Sequence, residues 1–121
     1  MKLLNLTLAI ILLTGSAYSQ PSGEILAFNT ERIANAASIT WTPSIQPVTN
    51  HFEIQRSDDG INWKVIAIMF PFEDETVSHS YKYNDKTLTE ATAYYRIRQI
   101  DITKKESFSK VIRLSGASAE K

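Results

Sequence analysis

Cysteine is absent from all 121 residues, which removes disulfides, thiolate metal sites and thiol nucleophiles together. A surplus of charge is missing as well: 13 Lys and Arg stand against 13 Asp and Glu. The cationic excess expected of a nucleic-acid partner is therefore lacking. The four glycines, Gly15, Gly23, Gly60 and Gly116, stand alone, so no glycine-rich loop cradles a phosphate. The two histidines, His51 and His79, share no H-x-H or H-x-x-x-H spacing, so no metal site is expected. What remains is ordinary: 43% hydrophobic and 21% charged residues, enough for a packed core and too apolar for wholesale disorder.

Long apolar runs are also missing. The longest, Leu3 to Leu13, is broken by Asn5 and Thr7 and spans about 11 residues, where a bilayer needs about 20. Met1-Lys2 precedes it and Thr14-Gly15-Ser16 ends it. Ala17 and Ser19 then supply small residues at the −3 and −1 positions of a cut before Gln20. This is the layout of a secretory signal peptide. No cysteine follows the run, so lipid attachment there is excluded. The expected division is a signal peptide over 1–19, a short linker over 20–24, one domain over 25–114 and a flexible tail over 115–121. The expected product is exported, periplasmic or secreted to the cell surface, without stable membrane insertion. Removing the leader leaves about 100 residues, the size of a single domain. A hydrophobic core alone can hold a domain of that size.

Within that domain no stretch of ten or more residues carries the i, i+3, i+4, i+7 apolar spacing of a helix. Alternation with period two recurs instead, bounded by turn residues. Strands are predicted over Ile25–Glu31, Ala37–Thr42, His51–Ser57, Trp63–Met69, Ser78–Asn84, Ala93–Ile102 and Ser107–Leu114. Pro43 is expected to stop the second, because proline cannot donate to a ladder. Ser57-Asp58-Asp59-Gly60 is a hairpin turn: Gly60 adopts positive φ at no steric cost and an aspartate caps the loop. Short strands at this spacing predict an all-β sandwich, with a barrel as the alternative.

Four stretches carry a family resemblance: Ser38-Ile39-Thr40-Trp41-Thr42, His51 through Asp58-Asp59-Gly60-Ile61-Asn62-Trp63, Tyr94-Tyr95-Arg96-Ile97-Arg98-Gln99-Ile100-Asp101, and Phe108-Ser109-Lys110-Val111-Ile112. Together they resemble a fibronectin type III-like module. The subtype is common on exported proteins of one group of Gram-negative bacteria, often beside a C-terminal sorting domain. The similarity runs from Leu26 to Leu114. It implies an antiparallel seven-stranded immunoglobulin-like sandwich. Trp41 is expected at its centre, near Phe52, Ile54, Tyr95 and Ile97. Ile39, Tyr83 and Val111 complete the expected core, and the hydroxyls of Tyr83 and Tyr95 must reach partners or water. The chain departs from the subtype twice. The connection Asp101-Ile102-Thr103-Lys104-Lys105-Glu106 has no glycine, so a longer type I connection is expected there. No sorting domain follows Leu114, so the periplasm fits as well as the surface.

No chemistry of catalysis emerges. There is no G-x-S-x-G, and no Ser-x-x-Lys at a helix start. Ser57-Asp58 and Ser109-Lys110 are neighbours whose side chains diverge. Glu73-Asp74-Glu75 lacks the alternating oxygen ligands of a calcium loop and reads as a solvated loop. No catalytic residue, metal or cofactor is expected. One surface feature stands out. If Tyr95 and Ile97 point inward, Tyr94, Arg96 and Arg98 point outward in a row, beside outward Glu53 and Gln55. They form either ordinary cross-strand pairs, so that replacing Tyr94 and Arg96 by Ala leaves stability nearly unchanged, or a contact patch. Trp63 reads as a rim residue or as an exposed ring on which sugars stack. The expected role is a non-catalytic interaction or structural module of the cell envelope, with an envelope protein or a glycan as partner. The alternatives are a small carbohydrate-binding module, or an accessory subunit that docks through an exposed sheet edge.

Overall fold

The structure, a computed structural model, describes residues 25–45, 48–72, 77–88 and 91–115. The expected leader over 1–19, the linker over 20–24, the acidic triplet Glu73-Asp74-Glu75 and the tail beyond Ser115 lie outside the described residues. The described chain forms β1 (Ile25–Ile33), β2 (Ala36–Pro43), β3 (Thr49–Ser57), β4 (Trp63–Met69), β5 (Tyr81–Asp85), β6 (Ala93–Asp101), β7 (Glu106–Phe108) and β8 (Ile112–Leu114). Every pairing is antiparallel. One sheet runs β1-β2-β5; the other runs β4-β3-β6-β7, with β8 also on β6. No helix long and apolar enough to cross a membrane occurs among the described residues.

Alternation explains how the sheets meet. On β2, Ala37, Ile39 and Trp41 are buried while Ser38, Thr40 and Thr42 are only half-buried. On β6, Ala93, Tyr95, Ile97 and Gln99 point inward. Trp41, 1% exposed, lies at the centre as expected. Its ring meets Phe52 edge-on at 5.7 Å and stacks on Tyr81 at 5.6 Å. Ile39, Phe52, Ile54, Tyr95 and Ile97 are fully buried around it, whereas Tyr83 is half-buried at the margin of the core. Pro43 does not stop β2 one residue early; it is the last residue of the strand, paired with Ile25.

Two glycine-free turns adopt left-handed backbone. The two-residue turn between β1 and β2 has Ala34 at φ 55°. Between β6 and β7, Lys104 takes φ 74°. Its amide donates to Asp101 O at 2.9 Å, and the Asp101 amide donates to Lys105 O at 2.9 Å. That is the pattern of a type I turn closed by a left-handed bulge residue. The Asp101 carboxylate holds the turn by accepting from the Thr103 and Lys105 amides at 2.8 and 2.9 Å.

The last predicted strand is two. Arg98 faces Phe108 and Tyr95 faces Ile112. Between those pairs β6 steps from 98 to 95 while its partner steps from 108 to 112, so one extra residue bulges out. At the break the Ser109 hydroxyl accepts the Ile97 amide at 2.8 Å, in place of a ladder carbonyl. The bulge reverses parity. Ile112 and Leu114 turn toward the core, and Val111, expected inside, is 48% exposed. A second bulge sits on β4. Ile54 faces Ala67 and Gln55 faces Val65, which leaves Ile66 extra.

Candidate functional site on the outer face of the larger sheet

The outer face of the larger sheet is built by side chains at alternate positions of four strands. β6 presents Tyr94, Arg96 and Arg98, opposite Ser57, Gln55 and Glu53 of β3. Arg96 is clamped. Its guanidinium carbon lies 4.3 Å from the centroid of Trp63 on β4 and 4.3 Å from that of Phe108 on β7. A planar cation between two π faces gains attraction on both sides. The Arg96 Nε donates to Gln55 Oε1 at 2.7 Å, and Gln55 Nε2 donates to Glu53 Oε1 at 2.9 Å. Arg98 bridges two acids, donating to Glu53 Oε2 at 2.9 Å and Glu106 Oε1 at 2.7 Å. One connected network therefore spans β4, β3, β6 and β7.

The charges respond to these contacts. Burial and the like charge of Arg98 lower the pKa of Arg96. The bond to Glu106 leads in raising that of Arg98. Burial pushes Glu53 upward, but the bonds from Gln55 and Arg98 outweigh it and leave its carboxyl below its ordinary value. His51 stands 3.6 Å from Glu53 at the margin.

All four expected patch residues share this face. Trp63 and Arg96 touch, Arg98 joins through the Gln55–Glu53 relay, and Tyr94 sits apart over the hairpin. A side chain added at Gly60 would meet the Tyr94 ring at 3.5 Å, and Gly60 itself holds φ 79°. The Asp59 carboxylate fixes that turn, accepting from the Ile61 and Asn62 amides at 2.8 Å each. Those bonds hold its pKa far below the carboxylate range. Gln55, expected outward, does lie on this face yet is only 6% exposed, because the Arg96 guanidinium hydrogen-bonds to it there. Sequence reasoning missed Phe108 and Glu106; the signal was Phe108 falling opposite an outward residue of β6. Beside the hairpin lies a groove of about 220 Å³, lined by Arg56, Asp58, Asn62, Trp63 and Lys64 among others.

Sequence reasoning also missed a buried polar knot between the sheets. Asp85 of β5 accepts from the Tyr95 hydroxyl at 2.7 Å and from Arg56 Nη1 at 2.6 Å. The Thr87 amide and hydroxyl add bonds at 3.0 and 2.7 Å. This is the partner the Tyr95 hydroxyl required. Burial works against ionisation of Asp85, but those bonds prevail and depress its pKa. Burial, and then the bond to Asp85, raise that of Tyr95 beyond the usual phenol range. Elsewhere, His79 lies against Phe72 with ring centroids 4.5 Å apart. Among the described residues no group of three or more His, Asp or Glu could hold a metal ion.

No family model matches the chain, and no curated protein matches it. Solved structures do resemble it. The sixth fibronectin type III domain of human fibronectin type III domain containing protein 3 superposes with a TM-score of 0.56 at 17% identity, covering 88% of this chain and 97% of that domain. A β-1,2-glucanase from Parabacteroides distasonis superposes with a TM-score of 0.55 at 21% identity over 83% of this chain. The chain spans 14% of the length of that glucanase. At these identities the likeness concerns fold. Two antiparallel sheets, ordered β1-β2-β5 and β4-β3-β6-β7 around Trp41 and superposing on a domain of that kind almost end to end, make this chain a fibronectin type III-like β-sandwich.

Proposed function

We propose that the chain is a non-catalytic, exported interaction module of the bacterial cell envelope, of the subtype its motifs resemble. The observation that carries this reading is the clamped outer face. Trp63, Arg96 and Phe108, together with the Glu53–Arg98–Glu106 ladder, hold four strands in one rigid surface of aromatic and charged groups. Rigid aromatic and arginine side chains are what protein interfaces enrich, because little entropy is lost on docking. Fractionation of the cells that make the protein tests its location. The reading requires an N-terminus at Gln20 and recovery from the periplasm or the surface. Recovery from the cytoplasm with the leader intact refutes it. A photo-crosslinking residue at Tyr94 tests the face. It should capture one envelope protein that the same residue at Lys82, on the other sheet, does not.

The groove beside the hairpin favours a second reading, a small carbohydrate-binding module. Trp63 forms one wall, and Asp58, Asn62 and Lys64 offer the polar groups that hydroxyls need. A fluorescence titration against a glycan panel tests it, with buried Trp41 as constant background. A response that disappears in Trp63→Phe supports this reading. No response to any sugar refutes it.

A further inference from the structure

β4 is an open edge of the larger sheet. It borders that sheet on one side, and among the described residues it pairs with β3 alone. Across its seven residues Lys64 is the sole charge, and there is no proline or glycine. Natural edge strands are usually shielded by charges, proline, brevity or bulges, and of these β4 carries one lysine and the bulge at Ile66. The opposite edge of the same sheet is shielded in that way: β7 and β8 are three residues each, separated by a bulge. Val65, Ile68 and the following Phe70 are nevertheless 47%, 55% and 69% exposed.

The bulge at Ile66 gives this edge an unusual symmetry. Val65 faces Gln55 and Ile68 faces Glu53, so both lie on the outer face although their numbers differ in parity. Trp63 shares that face, as its contact with Arg96 shows, and Phe70 lies near His51 of the same face at 6.4 Å. Lys64, Ala67 and Met69 take the other side. The order of outward and inward positions is therefore the same read from either end of 63–70. A two-fold axis through the bulge places Val65 opposite Ile68, Trp63 opposite Phe70 and Lys64 opposite Met69 of a second copy. Gln55 and Glu53 are two apart on β3, so Val65 and Ile68 also aim their backbone groups alike. The two Lys64 ammonium groups stand five residues apart along the pairing, roughly 16 Å at about 3.3 Å per residue, beyond the screening length at physiological salt. With a net charge of zero over the full sequence, and of −1 (12 Lys and Arg against 13 Asp and Glu) without Lys2 of the leader, the copies meet little long-range repulsion.

We propose that β4 is a homodimer interface, pairing antiparallel with β4 of a second copy in the register 65 opposite 68. This goes beyond the function proposed above and stands without it. The contact is isologous, as a closed two-fold dimer requires. It joins two sheets into one continuous sheet and puts both Arg96 clamps on the same side. An interaction module would thereby gain bivalency.

The test uses the purified full chain, in the N-terminal form the cell leaves, across a hundredfold range of concentration. Sedimentation equilibrium should show the wild-type mass rising from one chain toward two. Val65→Glu and Ile68→Lys should each remain at one chain. The double variant places Glu opposite Lys twice in the proposed register and should recover the dimer. Far-UV circular dichroism and melting of each variant report the monomer fold, which exposed positions should leave intact. A wild type that stays monomeric throughout overturns the proposal. So do single variants that dimerise like wild type, and a folded double variant that stays monomeric overturns the register.

Discussion

Removing the Asp85 carboxylate should destabilise the domain strongly, because it joins β5 to β3 and β6 across the sandwich. Asp85 is 1% exposed and takes four hydrogen bonds, from Tyr95, Arg56 and twice from Thr87. In Asp85→Ala the buried Tyr95 hydroxyl loses its acceptor, and the Arg56 guanidinium, 13% exposed, keeps only Thr87 Oγ1 at 3.0 Å. Breaking a buried ion pair from one side costs about 3–5 kcal/mol, because the orphaned charge remains desolvated. A domain of this size has only about 5–15 kcal/mol in total. At roughly 4–8 °C per kcal/mol, a loss of about 4 kcal/mol lowers the melting temperature by roughly 15–30 °C. Tyr95→Phe removes a single donor while Arg56 and Thr87 still hold the carboxylate, so about 1–2 kcal/mol is expected. Combining Asp85→Ala with Arg56→Met should cost less than the sum of the two, since no unpaired charge remains. Urea unfolding with a common slope measures all four. If Asp85→Ala costs less than about 1 kcal/mol, the carboxylate is exchanging its partners for water and the knot does not tie the sheets.

Three further outcomes are expected. Stability should fall in acid: Asp85, Glu53, Asp59 and Asp101 all have folded pKa values below their ordinary ones. Their contribution is present above the unfolded carboxylate value of about 4 and is lost as pH drops below it, so a melting temperature unchanged from pH 6 to pH 3 would falsify this. Tyr95 shifts upward, so its contribution holds below about pH 10 and is lost on the alkaline side. Lys104→Gly and Ala34→Gly should each stabilise by about 0.5–1 kcal/mol, since both residues pay for left-handed backbone; a loss in calorimetric melting counts against those turn geometries. Arg96→Ala gives up two ring contacts and the Gln55 bond and should cost about 1–2 kcal/mol, against the near-neutral effect that outward placement alone implies. Arg96→Lys should recover only part of that, and an Ala variant as stable as wild type in urea would sink the clamp.

What could be read in advance followed from period two, and what could not followed from its interruption. β2 and β6 alternate without a break, so Ile39, Trp41, Tyr95 and Ile97 inside, and Arg96 and Arg98 outside, were legible from residue order. The hairpin after Ser57 was legible too, because Gly60 and two aspartates leave few other conformations. A bulge has no comparable signature. The residue that bulges is an ordinary one, selected by how the partner strand and the layer beneath pack around it. Val111, expected in the core, is therefore placed outside by the one extra residue near Ser109. The Asp85 knot escaped for a related reason. Its members come from β3, β5 and β6, and no local pattern says that an inward arginine and a strand-end aspartate meet across the sandwich. The edge of β4 joins both lessons. Plain alternation would put Val65 and Ile68 on opposite faces, and the bulge at Ile66 brings them to the same one. A feature invisible to counting thus decides which apolar side chains this edge offers to another strand, and only the register of a neighbour reveals it.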